Sequence, residues 1–186
     1  MRSGQRTSSG FLAISTGLRH AVTGAPWCCP FRAALLTGLY PHQNGVVGTP
    51  GTLDASIPTL TAPLKEAGYH TAYVGKWHLA GGRSPAQYVE PASRGGFDYW
   101  LGFQNSNNQN ENYVHGTGCE TPRRLAGYET DSLTDLFLDH ITEHVGETTT
   151  GDSYQPFYPY SPPTIRTYLP TIRTYLPTIR TYLPTI

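Results

Sequence analysis

The chain has 186 residues, room for one ordinary domain, and its 13 basic residues balance 13 acidic ones. That balance offers no electrostatic reason to bind nucleic acid or an anionic membrane surface, and no apolar run reaches the length of a membrane span. With 16 prolines and 20 glycines many turns are expected, while three cysteines, two of them adjacent, do not make a disulfide framework.

Residues 1–19 are polar and rich in small side chains, and Phe11-Leu12-Ala13-Ile14 is too short for the apolar core of a signal peptide. This stretch reads as a disordered leader, and His20 to Trp27 as an approach strand or loop. The first strongly patterned stretch is Trp27-Cys28-Cys29-Pro30-Phe31-Arg32-Ala33-Ala34-Leu35-Leu36-Thr37-Gly38. Pro30 suits the first turn of a helix, Ala33 to Leu36 propagate it, and Gly38 closes it. Cys28 then lies just ahead of a helix N-terminus, where unpaired N–H groups and the helix dipole favour an anion, and Arg32 can bring a guanidinium to the same place. Taken alone, the pattern fits an anion pocket with a reactive side chain at its mouth, or two small buried thiols and a surface arginine.

Tyr40-Pro41-His42-Gln43-Asn44-Gly45 is turn chemistry, with His42 solvated. Thr59 to Ala67 reads as a short helix capped by Gly68, and Tyr69 to Val74 as a buried strand bounded by glycines. Helix, glycine, strand is the order of an α/β sheet, and it delivers Gly75-Lys76-Trp77-His78 to the carboxyl end of the strand, where ligands collect. Lys76 and His78, two apart, point the same way if the chain stays extended, giving a cationic pair with a proton-transfer option.

Residues 80–128 read as loop-dominated, with Asp98 satisfying backbone groups and the run Gln104 to Asn112 either lining a sugar site or forming an exposed loop. Cys119 has no evident partner. Tyr128 to Ile141 is the clearest helix, with Leu133, Leu136, Phe137, His140 and Ile141 on one face and Asp131, Asp135 and Asp139 on the solvated one. Gln155 to Pro163 reads as a strand in which Pro159 would be out of place centrally. From Pro163 the heptad Pro-Thr-Ile-Arg-Thr-Tyr-Leu repeats, and a proline in every copy excludes a continuous coiled coil, leaving an extended tail over 163–186.

Cys28-Cys29-Pro30-Phe31-Arg32 followed by the helix ending in Thr37-Gly38, together with Gly68-Tyr69-His70-Thr71-Ala72-Tyr73-Val74-Gly75-Lys76-Trp77-His78, resembles the two signatures of the formylglycine sulfatases, in the family's order. Phe31 stands where the commonest form has serine, within an intact Cys-x-Pro-x-Arg frame. Gly96-Phe97-Asp98-Tyr99-Trp100-Leu101-Gly102-Phe103 resembles a third family stretch. The resemblance implies part of an alkaline-phosphatase-like α/β domain, a mixed sheet with helices on its faces, over residues 20–162. It implies sulfate-ester hydrolysis through Cys28 converted to formylglycine by a maturing enzyme. In that scheme the hydrated aldehyde attacks sulfur and then expels sulfate, Arg32 holds the hydrate, Lys76 clamps sulfate and His78 moves the proton. A sulfated small molecule or sulfated sugar is the implied substrate, and the family is usually secreted, periplasmic or lysosomal. Calcium, which takes six to eight oxygen ligands, is also implied, with formylglycine at position 28 among its ligands. The family's paired aspartates have no counterpart in 1–18, its downstream Asp-Asn ligands are missing, and Thr164 stands where a catalytic histidine is expected. Two other readings follow: an inactive truncated remnant, or a phosphonate or phosphodiester hydrolase of the same superfamily.

Overall fold

A computed structural model describes residues 22–84, 86–149 and 155–161. The leader 1–19, Thr164 and the repeat tail 163–186 lie outside these residues. The elements in chain order are α1 (Cys28–Thr37), α2 (Pro41–Asn44), α3 (Thr61–Glu66), β1 (His70–Lys76), a 3-10 turn (Pro91–Ser93), β2 (Tyr99–Phe103), β3 (Tyr113–Gly116), β4 (Cys119–Arg124), α4 (Glu129–Thr149) and β5 (Phe157–Tyr160). None of the described helices is long and apolar enough to cross a membrane.

The strands form one mixed sheet in the order β4-β3-β2-β1-β5. β1 runs parallel to both β2 and β5, whereas β2, β3 and β4 are joined antiparallel. Side chains alternate across a strand, so the β1–β2 register divides the core in two. The pair Tyr73–Trp100 faces Cys29, Ala33 and Leu36 of α1, with Trp77 and Phe97 between them. The pair Val74–Leu101, with Phe103 and Val114, faces Leu133, Leu136 and Phe137 of α4. Helices therefore cover both faces, as an α/β sheet with a parallel centre requires.

Residues 80–128 are mostly loop, as expected, but three short strands, β2, β3 and β4, lie within them. The strands escape notice because they are short and because β4, Cys-Glu-Thr-Pro-Arg-Arg, is an exposed edge with no alternating apolar signal. Both edge strands of the described sheet carry a proline, Pro122 in β4 and Pro159 in β5, where a missing ladder donor is tolerated. Asp98 does satisfy backbone: it accepts from the Thr71 amide at 2.9 Å and the Thr71 hydroxyl at 2.8 Å, and pairs with Lys65 at 2.7 Å. Asp131, Asp135 and Asp139 are exposed, as is His42, and Cys119 is a free thiol.

Three buried histidines are held neutral. Burial, reinforced by Lys76 and Arg32, pushes His78 down to about 4. Burial and Arg94 do the same to His115, which is also pushed down to about 4 and whose Nε2 accepts the Val89 amide at 2.7 Å. His140, stacked on Tyr99 at 3.8 Å, is lowered to about 4 by burial, His70 and His144. Each folded value lies below the unfolded one, so the unfolded chain binds more protons between pH 6.5 and 4. The stability from neutral burial is complete above that window and is lost as pH falls through it. At on the order of 3 kcal/mol per group, urea midpoints are expected to collapse between pH 6.5 and 4. A midpoint flat across this range would contradict neutral burial.

Candidate functional site

α1 sets the position of the two cysteines. Trp27, extended at φ −114° and ψ 149°, is its N-cap, Cys28 is its first residue, and Gly38 closes it at φ 70° with its N–H on the Ala34 carbonyl. Pro30 falls in the first turn, where a missing N–H costs no intrahelical bond. Cys28 is exposed and Cys29 fully buried, so adjacent thiols on one helix end meet opposite environments. Of the two, Cys28 is the thiol that solvent reaches.

One turn on, Arg32 turns inward and is buried. Its Nη1 donates to the Lys76 carbonyl at 2.7 Å, fastening the first motif to the end of β1. The Tyr73 hydroxyl donates to the same carbonyl, and burial keeps that phenol protonated far above its usual range. Sequence reasoning gave Tyr73 no role beyond its strand, and only its spacing of three from Lys76 could have signalled one.

Lys76 is 1% exposed, and its Nζ donates to the Ser106 carbonyl and to Asn107 Oδ1, both at 3.0 Å. Burial lowers its pKa, the Cys28 charge raises it, and the Arg32 guanidinium lowers it further. Cys28 and Arg32, both on α1, thus act electrostatically on Lys76 at the end of β1. His78 belongs to the same group, since both Lys76 and Arg32 depress it.

The condition under which Lys76 and His78 would point the same way, an extended chain between them, is not met. β1 stops at Lys76, and His78 adopts φ 61°, in the left-handed region that non-glycine residues rarely enter. The Trp77 side chain, packed edge-on against Tyr73 at 5.1 Å, fills the core on the α1 face and draws the chain out of the sheet. His78 is 4% exposed, and neither ring nitrogen has a hydrogen-bond partner among the described residues. A neutral, unpaired buried imidazole beside two cations can donate its N–H to an anion.

The described residues do not fit a calcium ion. Among them no cluster of three or more histidine, cysteine, aspartate or glutamate side chains is arranged to hold a metal. A cavity of about 150 Å³ lies elsewhere, beside Trp77 and lined by Leu53, Ile57, Thr59, Thr61 and Gly95, and includes none of Cys28, Arg32, Lys76 or His78.

This arrangement can be set beside known proteins. A family model for sulfatases matches residues 16–160. An ulvan-active sulfatase of Formosa agariphila is 41% identical over 92 residues, a match covering 50% of this chain and 18% of that protein. An N-acetylglucosamine-6-O-sulfatase of Bacteroides thetaiotaomicron is 34% identical over 114 residues, covering 60% of this chain and 18% of that one. The chain therefore spans less than a fifth of these relatives. A solved Bacteroides thetaiotaomicron structure, titled for metabolism of multiple glycosaminoglycans, has the same fold with a TM-score of 0.69 at 21% identity, covering 90% of this chain and 38% of that one. A match of that extent to the family model, in a chain with this mixed sheet, shows that the protein belongs to the sulfatase family.

Proposed function

We propose that the chain carries the nucleophile-bearing part of a sulfuric ester hydrolase, with Cys28, Arg32, Lys76 and His78 as its working residues. The observation that carries this reading is the Arg32 bond to the Lys76 carbonyl, which ties the cysteine motif to the lysine–histidine motif. When Cys28 has been converted to formylglycine, its hydrate supplies the attacking oxygen. Arg32 and Lys76 hold positive charge beneath that position and stabilise a tetrahedral oxyanion. His78, neutral at pH 7, accepts a proton as negative charge develops beside it. No step is assigned to calcium. Relatives named ulvan-active sulfatase and N-acetylglucosamine-6-O-sulfatase support a sulfated carbohydrate as the substrate class, and others named arylsulfatase G leave an aryl sulfate as the alternative.

A second reading is a catalytically inactive remnant of the same descent. The two are separated by producing the chain together with a formylglycine-generating enzyme and assaying sulfated sugars, aryl sulfates and phosphodiesters in parallel. Release of sulfate supports the first reading. Turnover of phosphodiesters alone reassigns the substrate class. Formation of the aldehyde, seen in the mass of the tryptic peptide 20–32 as loss of one sulfur and two hydrogens with gain of one oxygen, but with no turnover of any ester, supports the second reading.

A further inference from the structure

The asparagine-rich run after β2 is absorbed neither by the fold nor by the four residues above, and most of its polar groups are engaged. Gln104, fully buried, donates from Nε2 to the Gly81 carbonyl and accepts the Ala80 amide on Oε1 at 3.1 Å. At the other end Asn112, also buried, donates from Nδ2 to Glu129 Oε2, while its carbonyl accepts the Leu125 amide at 2.8 Å. Between these anchors the Gln109 carbonyl accepts the Glu129 amide at 2.7 Å, and Ser106 Oγ accepts the Asn108 amide at 3.0 Å. The loop is thus pinned to the segment after β1 and to the start of α4. Its ends are anchored and buried, while Asn107, Asn108, Asn110 and Glu111 between them are exposed.

What this scaffold presents is Asn107. We propose that Asn107 is a positioning residue for Lys76: its side-chain carbonyl, with the Ser106 main-chain carbonyl, fixes the ammonium so that its remaining N–H is available to an anion at Cys28. The ammonium has three donors, and two are taken by Asn107 Oδ1 and Ser106 O, both at 3.0 Å. The amide orientation follows from chemistry, because a lysine can only donate and the Asn107 atom facing it must be the oxygen. Asn107 is exposed while Lys76 is buried, so the asparagine stands at the rim over the cation. An ammonium taken out of water needs acceptors, and these two are neutral. The charged groups that act on it include Cys28, Arg32 and the buried Glu129, none of which the Asn107 variants alter. The purpose of the clamp rests on the sulfatase reading, but its existence can be tested apart from it.

The chain contains only two lysines, Lys65 and Lys76, so protein grown on 15N-lysine gives two side-chain signals without an assignment problem. Lys65, paired with Asp98, serves as the internal control for folding. Removing an acceptor disfavours the charged amine and adding a carboxylate favours it. Asn107→Leu is therefore expected to move the Lys76 titration downward and Asn107→Asp upward, with Lys65 unmoved in both. Asn108→Leu, altering a neighbour whose Oδ1 bonds only the Asn110 amide, is expected to leave Lys76 where it was. Lys76 titrating identically in wild type and both Asn107 variants would overturn the proposal. Adding inorganic sulfate separates this from the functional reading. Opposite shifts in the two variants with no sulfate response in the wild type would keep the clamp and count against the sulfatase site.

Discussion

Cys28→Ala is expected to abolish aldehyde formation completely, while leaving the urea midpoint of the chain within about 0.5 kcal/mol of wild type. The aldehyde carbon is the Cβ of Cys28 itself, so no other residue can supply it. Its exposure at the tip of α1 means that truncation uncovers almost no core. Cys29→Ala should behave oppositely. Cys29 is fully buried against Ala33, Leu36 and Val46, and loss of its sulfur leaves a small void costing about 1 kcal/mol. The frame Cys28-x-Pro30-x-Arg32 survives in that variant, so modification should persist. Both proteins would be produced with the maturing enzyme and reacted with a hydrazide probe. Labelling retained in Cys28→Ala, or lost in Cys29→Ala, would break the assignment of the nucleophile.

Gly116→Ala carries the largest expected effect on folding, more than about 3 kcal/mol. Gly116 ends β3 at φ 137°, where an L side chain is strained, and an added Cβ would fall on the Trp100 carbonyl and lie 2.8 Å from the Trp100 ring. That carbonyl accepts the Thr117 amide at 2.8 Å, so the clash separates the β3–β4 hairpin from β2. Gly118, two residues on, provides the control. It has φ 71° but open space around its Cβ, so Gly118→Ala should cost only about 1 kcal/mol. Equal midpoints for the two variants would show that φ alone, not the contact with Trp100, governs the site. Displacing β2 would also release the loop that leaves it at Gln104, and with it the acceptors of the Lys76 ammonium.

Local order was legible wherever a short stretch decides its own conformation. Pro30 and Gly38 bound α1 because one tolerates a helix start and the other a left-handed end. The face of Leu133, Leu136, Phe137, His140 and Ile141 marked α4, and the β-branched and aromatic run before Gly75 marked β1. The four residues proposed as working residues were named by the resemblance of two motifs to a family, since spacing alone left a bland reading open for each. β3 and β4 were not legible, because short strands with a polar edge carry no periodic signal.

Sequence alone thus determined which residues stand at helix and strand ends, and so which side chains could share an anion. Only the tertiary structure decided that Cys28 is exposed and Cys29 sealed, that Arg32 reaches the carbonyl of Lys76, and that an asparagine from a distant loop holds the lysine's ammonium. The physical reason is that helix caps and strand periodicity are set by neighbours along the chain. Burial, charge coupling and the pairing of a buried cation are set by what other segments bring within a few ångströms.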